Sequence, residues 1–314
     1  MSTEDHVIES QDPVESLGNR VSNWGRWGAD DELGTLNYVT DAKVLEASRL
    51  VMTGEVVPLG LPLDSDGPQR DRPRRFNPIH LMTALPTDTV RPDGTGLADD
   101  VVVMPLQSVT QWDSLAHIAY RGRIYGGKDA HLVGSSGASV NSIRAISGRI
   151  ASRGVLIDVA RFRGVDALPA GHAITASELT DTLRTQGLDA GEGDILLIRT
   201  GFLDHCRRRG WEGFFDASPG LALDTLEWLH TRRVAGIATD TVAAEVRPSE
   251  IDGFRSPFHV VALVYMGLLL GELFDCEALA ARCSDDSRYD FLLVAPALPV
   301  TGGVGSPINP YAIR

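Results

Sequence analysis

Apolar residues in this chain fall into short aliphatic runs separated by amphipathic stretches. Val155-Leu156-Ile157, Ile195-Leu196-Leu197-Ile198, Val234 to Ala238 and Phe291 to Ala295 are each brief and mostly bounded by glycine or a charge, the pattern of buried strands. Between them, Thr175-Ala176-Ser177-Glu178 starts a helix through Arg184, and Ser218-Pro219 starts one through Arg233. Thr40 to Leu50 has apolar positions at helical spacing. Residues 54–76, rich in Gly, Pro and Asp, read as a strand followed by a long excursion, and Gly134 to Ser139 as the start of a helix through Ile150. Strands alternating with helices predict an α/β architecture. Residues 1–20 read as a mobile polar tail and 21–314 as one domain, with 21–100 an extension wrapped on it.

Charge narrows the choice of partner. The formal net charge is -13, which argues against nucleic acid, and the Arg70, Arg72, Arg74, Arg75 cluster reads as a solvated loop or an oligomer contact. The most apolar stretch, Phe258 to Leu270, is shorter than the ~20 residues that span a bilayer, so no membrane partner is expected. Three scattered cysteines, Cys206, Cys276 and Cys283, make neither a disulfide framework nor a Cys-type zinc site, and a cytoplasmic protein with reduced thiols is expected.

The chemistry concentrates in Gln111-Trp112-Asp113-Ser114-Leu115-Ala116-His117. On a strand, Gln111 and Asp113 project from one face, and a turn after Asp113 brings His117 back towards them. An amide oxygen, a carboxylate and an imidazole then converge, a mixed O/N set suited to Zn²⁺ or Mn²⁺. On spacing alone, Asp113 as a turn cap and His117 as a core histidine is the simpler account. His259 and Glu272 bracket an apolar run, and a carboxylate there is costly to bury without a cation or a donor; an Arg partner for Glu272 and a loop position for His259 fit equally well. No Gly-x-Ser-x-Gly elbow or phosphate loop is present. Cys206, followed by Arg207, Arg208 and Arg209, is a weak candidate nucleophile.

An ordered set of segments resembles the cyclase family, which includes bacterial kynurenine formamidases and isatin hydrolases. The family hallmark His-x-Gly-Thr-His-x-Asp-x-Pro-x-His aligns with Gln107-x-Val109-Thr110-Gln111-x-Asp113-x-Leu115-x-His117. Further matches are Arg153 to Val159, Gly193 to Gly201, Ala238-Thr239-Asp240-Thr241, His259 with Glu272, and Pro299 to Pro307, in order over roughly residues 105–310. Asn23-Trp24-Gly25 and Asp31 to Asn37 look like a longer branch. The resemblance implies a swivelling β/β/α fold with a mixed sheet, and a metal site from Gln111, Asp113, His117 and Glu272 with His259 as a further ligand or proton shuttle. Glutamine stands at 107 and 111 where the hallmark has histidine. One Mn²⁺ or Zn²⁺, weakly held or absent, is therefore expected in place of a dinuclear site.

The activity this implies is that of a metal-dependent hydrolase opening a small amide, lactam or lactone, with His117, His259 and Glu272 as the catalytic groups. A lyase or cyclising dehydratase on the same site, or a metal-free binding protein, are the alternatives. Trp24, His80, Trp112, Tyr120 and Tyr125 are candidates to bind substrate, with core or loop packing as their alternative role. The resemblance also implies a homodimer or homotetramer.

Overall fold

A computed structural model describes residues 12–70 and 74–314; His6 and Arg72 lie outside them. Nine strands form one mixed sheet: β1 (Val56–Pro58), β2 (Gln111–Asp113), β3 (Ala151–Asp158), β4 (Ile195–Arg199), β5 (Gly236–Thr239), β6 (Leu269–Glu272), β7 (Asp290–Val294), β8 (Gly305–Pro307) and β9 (Tyr311–Ile313). Their spatial order is β1-β9-β7-β3-β4-β5-β6-β2-β8. The central four, β3 to β6, run parallel. The neighbours on either side pair antiparallel.

The aliphatic runs make the parallel centre because its strands are covered on both faces. Val155, Ile157, Leu196, Ile198, Ile237 and Leu270 pack on one side, against helices Ala176–Thr185, Thr225–Thr231 and 257–266. Leu156, Ile195, Leu197, Ala238 and Leu269 pack on the other, with helices Glu277–Asp286 and Ile143–Ile146. The apolar stretch from Phe258 is therefore buried within the chain itself. It forms helix 257–266, with wide π-type turns from Val260 to Met266, and then β6. Gly267, at φ 63°, sits in the left-handed region that ends the helix and turns the chain into the strand.

Two expected helices are shorter. The one placed over 218–233 begins only at Thr225, because Gly220–Leu221 first pairs as a short strand with Ala173–Ile174. A Cβ on Gly220 would lie 2.2 Å from the Glu245 carbonyl carbon, so backbone packs on backbone there and excludes a helix. The one placed from Gly134 to Ile150 is a tight hairpin, Val133–Gly134 with Gly137–Ala138, followed by the single turn Ile143–Ile146. Part of the expected mobile tail is ordered too. Asp12 caps helix Pro13–Arg20, and its buried Val14 and Leu17 pack with helix 257–266. Before residue 105, an antiparallel ribbon, Ile79–Ala84 with Asp99–Val103, is exposed along almost all its length. Among the described residues no helix is long and apolar enough to cross a membrane.

Candidate metal centre

Strand register assembles the centre. β2 runs antiparallel to β6 with Gln111 opposite Glu272 and Asp113 opposite Leu270. Side-chain alternation sends Gln111, Asp113 and Glu272 to one face and Trp112 to the other. All four are buried. Helix 257–266 starts at Pro257, places His259 in its first turn, and returns through Gly267 into β6. His259 Nε2 thereby lies 3.2 Å from Glu272 Oε1 and 3.9 Å from Asp113 Oδ2. Asp113, His259 and Glu272 each offer a ligand atom, and these atoms lie within 4.8 Å of one another.

Behind the imidazole stands Glu245, which sequence reasoning did not single out. Its Oε1 accepts from His259 Nδ1 at 2.7 Å and its Oε2 from the Phe258 backbone N–H at 2.8 Å. A carboxylate on the far nitrogen fixes the tautomer and orientation of a ligating histidine. Glu245 interrupts the apolar run Val242 to Val246, the same signal that drew attention to Glu272. Burial alone would push the His259 imidazole down, but the Glu245 and Glu272 carboxylates outweigh it and raise it to about 10. Burial pushes the Asp113 carboxyl up, opposed by His117 and His259 and reinforced by Glu272.

These residues fit one divalent cation. Three buried carboxylates surround one imidazole, an excess of negative charge that a cation neutralises. Gln111 Oε1 is buried without a hydrogen-bond partner among the described residues. As it stands, Gln111 donates through Nε2, at 3.1 Å to Glu272 and 3.5 Å to Asp113, so its amide nitrogen, not the expected oxygen ligand, faces the carboxylates. His117, expected both as a ligand and as a catalytic group, lies outside the three-residue cluster. Its Nε2 is 3.9 Å from Asp113 Oδ1, its side chain is 17% exposed, and His259 takes its place in the three-residue cluster.

A cavity of about 160 Å³ opens onto the cluster, lined by His117, His259 and Glu272 together with Arg75, Arg247 and Arg255. None of the five expected substrate-binding residues lines it. Trp112 packs on Phe274 and donates to the Ala295 carbonyl, because β-alternation turns it into the opposite core. Trp24 stacks on Tyr265 and donates to the Val264 carbonyl. Tyr120 donates to Asp12, and Tyr125 to Asp31 at 2.9 Å. His80 pairs with Asp100 on the exposed ribbon. Cys206 is no nucleophile either: burial pushes its thiol up to about 11, and the Arg209 charge only partly opposes this.

A mixed-sheet α/β fold with a buried carboxylate–imidazole cluster able to hold a cation is the class of protein these observations define. Residues 43–246 match the family model described as "Putative cyclase", and the chain belongs to that cyclase family. It is similar to the crystal structure of a novel cyclase at 37% identity and TM-score 0.88, covering 95% of this chain and 99% of that one. Isatin hydrolase A from Ralstonia solanacearum shares the fold at 20% identity and TM-score 0.62, over 87% of this chain and 97% of that one. A structure titled as a predicted metal-dependent hydrolase, from Bacillus stearothermophilus, is similar at 14% identity and TM-score 0.51, over 82% and 97%. A search of curated proteins finds no match.

Proposed function

We propose that the protein is a metal-dependent hydrolase that adds water to the carbonyl of a small amide, lactam or lactone. One observation carries this: Asp113, His259 and Glu272 converge, buried, beside a cavity that also holds the more exposed His117. Asp113, Glu272 and His259 Nε2 would hold Mn²⁺ or Zn²⁺, a mixed O/N set in keeping with either ion. Such a cation, when bound, supplies Lewis acidity that polarises a carbonyl and brings deprotonation of water near neutral pH. The chain's own residues do the rest. Glu245 and Glu272 engage both nitrogens of His259, which leaves that imidazole a positioned ligand. No hydrogen bond holds the His117 ring among the described residues, so His117 takes the proton from water and returns it to the leaving nitrogen or oxygen. The fold shared with isatin hydrolase, named for a cyclic amide, supports a ring-opening reaction.

Asp113→Asn and Glu272→Gln are each expected to lower turnover at least ~100-fold while keeping the far-UV circular dichroism. Wild-type rates in either variant with added metal would remove that residue from the site. Product mass separates the reading from a lyase or cyclising dehydratase, since hydrolysis adds one water. Metal below ~0.1 ion per chain after purification with Mn²⁺ or Zn²⁺ would favour a metal-free binding protein. We also propose a cytoplasmic homodimer or homotetramer: three free, buried cysteines suit a reducing compartment, and the ribbon exposes Ile79, Leu81, Val101 and Val103 as a contact surface.

A further inference from the structure

The cavity over the metal centre brings acidic and basic side chains into one lining. Arg75, Arg247 and Arg255 line it beside Glu272. Arg75 and Arg255 continue into a larger hollow of about 1060 Å³, where Arg70 and Arg74 join them. This convergence of positive charge occurs in a chain with 42 acidic and 29 basic residues, so it runs against the molecule's overall sign. Arg70 has a carboxylate within reach, Asp66 at 3.6 Å. Among the described residues Arg75, Arg247 and Arg255 have no ion pair, and the buried Nε of Arg247 has no hydrogen-bond partner. A buried guanidinium nitrogen without an acceptor is costly, and such exceptions call for a ligand or water to satisfy them. Among the described residues the acidic groups nearby, Glu212 and Asp216 in the outer hollow and Asp216 and Asp252 in a neighbouring one, form no ion pair with the three.

We propose that these arginines select an anionic substrate: a small carbonyl compound whose free carboxylate is held by Arg247 and Arg255, with Arg75 adding positive charge in the same lining. The reaction assigned to that substrate rests on the hydrolase reading above; the binding does not. Guanidinium groups match a carboxylate in a planar, two-pronged geometry that lysine cannot reproduce. Glu272, in the same lining, disfavours an anionic group placed directly against it. A substrate carrying one carboxylate therefore has a single favourable orientation, with its anionic end among the arginines and its neutral carbonyl towards the metal centre. The inner cavity is small beside the roughly 300–1,000 Å³ of ordinary ligand clefts, which restricts it to the reacting end of the molecule.

Calorimetric titration of the metal-loaded protein with benzoate, benzamide and inorganic phosphate tests this without requiring turnover. Benzoate should bind at least about tenfold tighter than its neutral isostere benzamide, weaken as ionic strength rises, and lose about tenfold in Arg255→Gln and in Arg247→Gln. Arg255 is exposed, so Arg255→Gln keeps the test meaningful should Arg247→Gln fail to fold. Equal affinities for benzoate and benzamide, or undiminished benzoate binding in Arg255→Gln, would overturn the proposal. Phosphate binding more tightly than benzoate would overturn the assignment to a carboxylate. Benzoate binding lost in Asp113→Asn but kept in both arginine variants would place the anion on the metal instead, again overturning it. Anion selectivity without any hydrolysis of amides or lactones would leave this proposal standing and remove the hydrolase reading.

Discussion

Glu245 accepts hydrogen bonds from the Phe258 N–H and from His259 Nδ1, and so fixes both the start of helix 257–266 and the direction of its histidine. Glu245→Gln keeps the shape but loses the charge. It is expected to weaken Mn²⁺ or Zn²⁺ binding about 10–100-fold, read by competition with a chelator; unchanged affinity would free the residue of any part in the site. Asp240 gives a second expectation at this scale. Burial raises its carboxyl to about 6 against the bonds it accepts from Thr200 and Gly201. The folded state thus holds this proton more tightly than the unfolded chain. Its contribution to stability is fully present below about pH 4 and is lost as pH rises to about 6, on the order of 2–3 kcal/mol. Asp240→Asn should flatten the unfolding free energy over that window, and an unchanged slope would contradict it. Asp113, His117, His259 and Glu272 drew attention as polar residues isolated among apolar ones or set at a telling spacing, but only the resemblance to the cyclase family joined them into one expected site. Which histidine meets the carboxylates was not legible, since that depends on where helix 257–266 returns. Glu245 carried the same signal as Glu272 without a motif to attach it to.

At the level of elements, the runs over β3, β4 and β5 announced themselves because buried parallel strands are continuously aliphatic, and the antiparallel β7 carried a similar short apolar run. β2 did not: three residues, two of them polar, carry no periodic signal. β6 lay concealed inside the apolar run from Phe258, where a buried helix and a buried strand have the same composition and only Gly267 marks the join. The helix expected from Ser218 failed because a close backbone contact, invisible in a single sequence, overrides a good capping signal. β6 is also tightly packed on the face turned away from the site. A Cβ on Gly271 would stand 2.4 Å from the Trp112 ring and 2.8 Å from Phe274. Gly271→Ala is therefore expected to cost about 1–3 kcal/mol by denaturant unfolding, and a neutral result would show that this packing yields easily.

For the whole molecule, the exposed ribbon is the feature least explained by a lone chain of 33.8 kDa. Leu81 and Val101 face each other across it and are 52% and 40% exposed. If the ribbon joins copies, sedimentation of the wild type gives a dimer or tetramer, and Leu81→Asp with Val101→Asp gives a folded monomer. A monomeric wild type would end that proposal. The α/β class followed from the residue pattern, and the family and mixed sheet from the resemblance; the ribbon did not, because neither 79–84 nor 99–103 was read as a strand.

The pairing of β2 between β6 and β8 carries an evolutionary consequence. Side chains alternate along a strand, so adding or deleting one residue within 109–113 would swing Asp113 and Gln111 into the space now filled by Trp112. Relatives can exchange donors at these positions, imidazole for amide, yet they cannot slide them along the chain. Diversification of this centre must therefore proceed by point replacement on fixed strands, with changes of length confined to the connecting loops.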